Sequence, residues 1–177
     1  MEKKRVEEMK RLSVEEFSRV RKIPLVVVLD NVRSCHNVGA VFRTSDAFVV
    51  EKIFLCGITP IPPHTDIHKT ALGAEEVVSW EYAKDTAIVV EKLKQEGYTL
   101  CAVEQVKGSM DFRNFHPVKE GKYALILGNE VHGVQQSVVD KCDVCLELPQ
   151  YGTKHSLNVS VTAGIVIWKM FCSLYEE

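Results

Sequence analysis

The sequence has no run of about 18 apolar residues, which excludes a transmembrane helix. Charges at its start are not followed by an apolar stretch, so no secretory leader is expected. It lacks regularly spaced cysteines. The six present (Cys35, Cys56, Cys101, Cys142, Cys145, Cys172) are scattered through mostly apolar segments, which argues against a disulfide framework and for reduced thiols in a cytoplasmic protein. No G-x-G-x-x-G follows the first apolar run, which disfavours a dinucleotide-binding oxidoreductase. Cys142-Asp143-Val144-Cys145 has no second Cys/His pair at zinc spacing, and its thiols alternate across a strand pattern. His64 and His68 have no third ligand near them in the sequence, so no metal site is expected. Excess positive charge is missing too: the net charge is -2, which does not announce a polyanionic partner. There is no internal repeat and no low-complexity segment.

What is present is one domain's worth of chain, 177 residues at 46% hydrophobic, enough for a real core. Charge is unevenly spread. Residues 1–22 carry eight Lys or Arg against five Glu, net +3, leaving the remainder near -5. They read as one helix ended by Pro24, with Met9, Leu12, Phe17 and Val20 as sparse apolar points. Such a basic extension fits phosphate contact, and a solvated helix laced by pairs such as Glu7–Arg11 explains it equally well. The expected organisation is therefore a basic helical extension over 1–22 and a domain over 23–177.

Within that domain, Leu25–Leu29, Lys52–Cys56, Thr99–Glu104, Tyr123–Leu127 and Val144–Leu148 read as strands. Residues 37–48, Thr86–Gln95, Gly133–Val139 and 156–173 read as helices, the last apolar nearly all round and so expected to be buried. Residues 57–70 read as a long loop. Alternating strands and helices predict an α/β fold with a mostly parallel sheet flanked by helices. Ligands of such sheets bind at the carboxyl ends of the strands. Three strands here end in unusual polar segments.

The first is Asp30-Asn31-Val32-Arg33-Ser34-Cys35-His36-Asn37-Val38-Gly39-Ala40-Val41-Phe42-Arg43-Thr44. Gly39 and Ala40 lack bulk, leaving room for another backbone or a ligand. Asn37 suits a helix cap. Arg43 is either a solvated side chain or a bidentate phosphate holder. The second is Leu127-Gly128-Asn129-Glu130-Val131-His132-Gly133, either a tight turn or a place where Gly128 opens space for a nucleoside. The third runs from Leu148 through Tyr151, Gly152, Lys154, His155, Ser156, Leu157 and Asn158 to Val161. Ser156, Asn158 and Ser160 lead into an apolar helix, where buried polar groups need partners.

Taken together and in this order, the three segments resemble the three motifs of the SpoU/TrmH-type RNA 2'-O-ribose methyltransferases of the SPOUT superfamily. The resemblance covers roughly residues 24–172 and includes Lys69-Thr70-Ala71-Leu72-Gly73-Ala74 after the second strand. It implies a deep trefoil knot at the C-terminal end of the sheet, S-adenosylmethionine as methyl donor, RNA as substrate and a homodimer whose subunits share each site. Residue by residue, it implies catalytic roles for Arg43, Asn37, Glu130, Ser156 and Asn158. It likewise implies donor contacts from Val103, Glu104, Gly128, Leu148, Leu157 and Asn158, with no metal. Ser34-Cys35 departs from the family's common Asp-Pro, and Val49 stands where a glycine often occurs.

A sulfonium methyl is already activated, so the chain need only align a ribose oxygen and help a proton leave. Arg43 is a poor base because guanidinium stays protonated. Positioning phosphate and stabilising the developing alkoxide suit it better. With no separate RNA-recognition domain expected ahead of the fold, the substrate leans slightly toward transfer RNA over ribosomal RNA. Two other readings are an RNA-binding module of this fold without methylation and a base-methylating SPOUT enzyme. The complete set of motif residues argues against the first.

Overall fold

Valine and leucine fill the first strand so completely that it must be covered on both sides. In the computed structural model, which describes residues 2–5, 8 and 11–175, this strand is β1 (Ile23–Asp30), buried at every position except Pro24. The chain runs α1 (Val14–Arg19), β1, α2 (Cys35–Ala47), β2 (Val50–Cys56), α3 (Thr65–Ala71), α4 (Ala74–Val77), β3 (Trp80–Ala83) and α5 (Thr86–Gln95). It continues through β4 (Tyr98–Val103), β5 (Met110–Asp111), a 3-10 turn (Phe112–Asn114), β6 (Lys122–Leu127), α6 (Gln136–Val139), β7 (Val144–Glu147) and α7 (Val159–Leu174). The seven strands form one sheet in the order β3-β2-β1-β6-β4-β7-β5. Every pairing is parallel, which confirms the expected α/β class.

Alternation along β1 sorts its side chains into two cores. Leu25, Val27 and Leu29 pack with α2, α3 and α7, including Phe42, Ile67, Val166 and Met170. Val26 and Val28 pack on the other face with α5 and α6, through Val89, Leu93 and Val138. The sheet is thus the middle of three layers, as parallel sheets require.

The ends of β1 and β6 are tied by a buried carboxylate. Asp30 is fully buried. Its Oδ1 accepts from Thr86 Oγ1 (2.6 Å), Gln135 Nε2 (2.7 Å) and Asn31 Nδ2 (2.8 Å), and its Oδ2 accepts from the Gln135 N–H (2.8 Å). One side chain therefore fixes where α5 begins and where the segment after β6 lands.

Several expectations change. Among the described residues, the α-helix expected over 1–22 is seen only at Val14–Arg19. Ser13 caps it in a reciprocal capping box with Glu16, and Val20 is already extended. Residues 2–5 and 11–13 are not helical, while Met9 and the Glu7 of the Glu7–Arg11 pair lie outside the described residues. Pro24 does not stop a helix. It is the second residue of β1, where the register to β2 shifts. The long loop holds α3, followed by Leu72 and Gly73 in the left-handed region. The edge strand β3 (Trp-Glu-Tyr-Ala) is half polar and pairs only with β2, so it carried no strand pattern.

Gly39 does leave room, but α3 fills it: a Cβ there would collide with Thr70 Oγ1 and the Ile67 carbonyl. Val49, where the resemblance places glycine, holds φ at 46°, a conformation that crowds a β-branched side chain. Helix α7 is not buried all round. Ala163, Val166, Ile167, Met170 and Leu174 face the core, while Val161, Ile165 and Trp168 are exposed.

Replacing Asp30 with Ala should leave the Gln135 and Thr86 donors stranded and lower unfolding stability by about 3 kcal/mol. Urea denaturation measures this, and a loss below about 1 kcal/mol would deny Asp30 its tying role.

Candidate active site

A cavity of about 430 Å³ opens where β4, β6 and β7 end, the place a parallel sheet offers to ligands. Its walls include Val103 and Glu104 at the end of β4, residues 127–133 from the last residue of β6 onward, residues 146–148 at the end of β7, and residues 155–159 up to the first residue of α7.

The β6 wall is a tight loop. Asn129 and Gly133 exchange backbone hydrogen bonds at 3.0 and 2.9 Å. The Asn129 carboxamide accepts from the Val131 and His132 N–H groups and donates to the Asn31 carbonyl at 2.7 Å. Gly128 is what lets this loop close: a Cβ there would strike the backbone of Gly133 and Val134. The space left by its missing side chain is filled by its own loop, not by a ligand. Glu104 braces the same loop from β4, accepting from the Val134 N–H (2.9 Å) and from the Gln105 N–H (2.9 Å).

Glu130 leaves this loop and joins it to the other two polar segments. Its carboxylate accepts from the Arg33 and Ser34 N–H groups (both 3.0 Å) and from Asn37 Nδ2 (3.0 Å). Asn37 Oδ1 in turn accepts from Asn158 Nδ2 (3.1 Å). Asn158 Oδ1 caps α7, accepting from the Ser160 N–H (2.8 Å), the Ser160 hydroxyl (2.6 Å) and the Val161 N–H (3.4 Å). An unbroken hydrogen-bonded chain thus runs Glu130–Asn37–Asn158. Burial alone raises a carboxyl's pKa, but here the donated hydrogen bonds outweigh it and hold Glu130 below the usual range. Glu130 is ionised at neutral pH.

Of the residues singled out from the sequence, Val103, Glu104, Gly128, Glu130, Leu148, Ser156, Leu157 and Asn158 all line the cavity. Asn37 stands behind it, bonded to two of them. It is not the cap of α2. Ser34 is, its hydroxyl accepting from the Asn37 N–H, so the departure at Ser34 keeps a capping side chain. Ser156, Asn158 and Ser160 are not buried together: one cap accounts for Asn158 and Ser160, and Ser156 is an exposed hydroxyl at the mouth.

Arg43 is not brought to the cavity. Six residues beyond Asn37 on α2, it is exposed and makes no hydrogen bond or ion pair among the described residues. Arg33 is the arginine near Glu130, with Nε 4.0 Å from the carboxylate. Sequence reasoning gave Arg33, Asn31 and Asn129 no role, although their positions at strand ends were the available signal.

Elsewhere, His68 bonds Glu75 at 2.5 Å. Their ligand atoms and one from Glu76 lie within 4.8 Å of one another. The expectation that His68 lacks neighbouring ligands is thus corrected, because the left-handed Leu72 and Gly73 fold α4 back onto α3. Glu75 is already satisfied by His68 and the Gly73 N–H. All six cysteines are free. No helix among the described residues is long and apolar enough to cross a membrane.

Comparison with known proteins fits this layout. The chain is 31% identical over 144 residues to the 23S rRNA (guanosine-2'-O-)-methyltransferase RlmB of Neisseria meningitidis, covering 81% of this chain and 56% of the relative. It is 29% identical over 146 residues to a putative TrmH family tRNA/rRNA methyltransferase of Staphylococcus aureus, covering 82% of this chain and 58% of that one. It therefore spans little more than half the length of these relatives. Among solved structures, the A. aeolicus TrmH/SpoU tRNA modifying enzyme superposes with TM-score 0.80 at 28% identity, over 90% of this chain and 80% of that one. The AdoMet-bound rRNA methyltransferase of Sinorhizobium meliloti gives TM-score 0.79 at 26% identity, over 86% and 57%. The model of the SpoU rRNA Methylase family matches residues 24–168, a span that takes in β1, the Glu130–Asn37–Asn158 chain and most of α7, and the chain belongs to that family.

Proposed function

We propose that this chain transfers a methyl group from S-adenosylmethionine to a ribose 2'-hydroxyl of RNA. The observation that carries the proposal is the cavity at the ends of β4, β6 and β7, bounded by three segments that the Glu130–Asn37–Asn158 chain holds together. Its volume suits a nucleoside-sized ligand. The fit is also chemical: no backbone N–H among residues 148–157 is hydrogen-bonded to another of the described residues, so the loop keeps donors for an adenine and a ribose. Leu148, Leu157 and Val103 supply apolar walls, and Ser156 a free hydroxyl. A bound donor would supply an already activated methyl group. Glu130, ionised and fixed by three hydrogen bonds from Arg33, Ser34 and Asn37, keeps the loop shape and would add negative charge to a site for a cationic sulfonium.

The knot is carried over from the family resemblance. Support for it is that β6, late in the chain, lies between β1 and β4, and that the segments after β6 and β7 frame the same cavity. The homodimer has its own support. Val161, Ile165 and Trp168 form an exposed apolar face on α7. Trp168 stacks on Phe171 and packs against Phe48 beside α2. Because Arg43 lies outside its own chain's cavity, its contribution to a site fits delivery across that face into a partner's cavity. There it would hold phosphate and stabilise the developing alkoxide while remaining protonated.

For the substrate, a preference for transfer RNA is not supported: relatives from N. meningitidis and Pseudomonas aeruginosa are named for 23S rRNA, and the A. aeolicus neighbour for tRNA. Ribosomal RNA is the first substrate to test.

Calorimetry should show the donor binding with the affinity of a small-molecule site. Methylated ribosomal RNA, digested to nucleosides, should carry 2'-O-methyl ribose. A methylated base, or no donor binding, would refute the proposal. Arg43→Ala and Asn158→Ala should each be nearly inactive, yet mixing the two should restore activity through mixed dimers with one intact site. Mixtures as inactive as their components would place Arg43 in its own chain's site or outside the reaction.

A further inference from the structure

Tyr151 is 86% exposed, the most exposed large ring among the described residues. It stands on the loop that borders the cavity: Gln150 before it and His155 and Ser156 after it line the wall, but Tyr151 does not. A ring left in water at the lip of a site has nothing to gain from the fold. Its neighbour is Arg113, whose Nη2 lies 3.5 Å from the Tyr151 hydroxyl.

Arg113 is held rather than free. Its Nε donates to both oxygens of Asp111 (3.1 and 3.0 Å), its Nη2 donates to Oδ2 (2.6 Å), and its backbone N–H donates to Oδ1 (2.9 Å). Asp111 belongs to β5 and pairs with Glu147 of β7, so the guanidinium is mounted on the edge of the sheet. Its Nη1 makes no hydrogen bond among the described residues, and the side chain is 66% exposed. Lys154 and His155, also exposed, add donors nearby on a chain whose net charge is -2.

An exposed aromatic face beside a pre-oriented guanidinium matches one nucleotide: a base to stack and a phosphate to hold. Bases inside a duplex are already stacked, so such a platform selects an unpaired one. We propose that Tyr151 and Arg113 form a platform for an unpaired nucleotide of the RNA, adjacent to the ribose presented to the cavity. The proposal rests on the RNA methyltransferase reading and adds a specificity element to it.

The test uses the full chain, a fluorescein-labelled unstructured RNA oligonucleotide, its duplex and S-adenosylmethionine. Tyr151→Ala should weaken single-strand binding by about 5- to 150-fold. It should leave duplex and donor affinity unchanged and raise the KM for ribosomal RNA more than it lowers kcat. Tyr151→Phe, which keeps the ring, should behave as wild type, an outcome a merely structural hydroxyl contact would not give. Arg113→Ala should reduce the salt dependence of RNA binding by about one phosphate contact. If the wild-type chain binds donor but Tyr151→Ala holds the single strand as tightly as wild type, this inference alone is overturned. A wild-type chain that binds no donor overturns the methyltransferase reading and this inference with it.

Discussion

One carboxylate holds the functional end of this molecule together. Glu130 reaches from the loop after β6 to the segment after β1, more than ninety residues earlier in the chain. Through Asn37 it reaches the start of α7 as well. Each hydrogen bond to a charged acceptor contributes about 1.5–3 kcal/mol, and here those bonds are what set the loops that wall the cavity at fixed distances. A parallel sheet supplies the strand ends but leaves the loops beyond them undetermined. Glu130 resolves that, with Asn129 and Glu104 shaping the loop it departs from.

Beneath it, Asp30 acts one layer deeper. It aligns the ends of β1 and β6 by binding Gln135 and the first residue of α5. A buried acid met by several donors is how this fold offsets the cost of turning the chain at the edge of a dry core. The same economy appears at Gly39 and Gly128, where backbone or side-chain atoms from elsewhere in the chain occupy the volume a side chain would take.

The sequence made the central strands legible because strands buried on both faces read as continuous apolar runs, and Leu25–Leu29 and Tyr123–Leu127 lie within β1 and β6. Helix α5 was legible to its ends, since Asp85 caps it and Gly97 follows. What stayed hidden depended on partners distant in sequence. Nothing local in Trp80–Ala83 announces an edge strand that exists because β2 is beside it. A capping box at Ser13 starts the helix there, so Arg11 and Leu12 lie outside it despite their helical composition. The motif residues of the cavity were legible as a set, but their division of labour was not. Asn37 suited a cap and is a bridge, of the two readings of Gly128 the tight turn is the one its surroundings bear out, and Arg43 does not line the cavity it was grouped with.

The central claim is that Glu130, Asn37 and Asn158 act as one connected unit that shapes the cavity. A double-mutant cycle on donor affinity, with Asn37→Ala, Asn158→Ala and both together, tests it most directly by calorimetry. Connected groups should be non-additive, the double variant losing less than the sum of the single losses by about 1 kcal/mol. Losses that add within about 0.3 kcal/mol would mean that the two asparagines act separately and that the chain of hydrogen bonds does not shape the site.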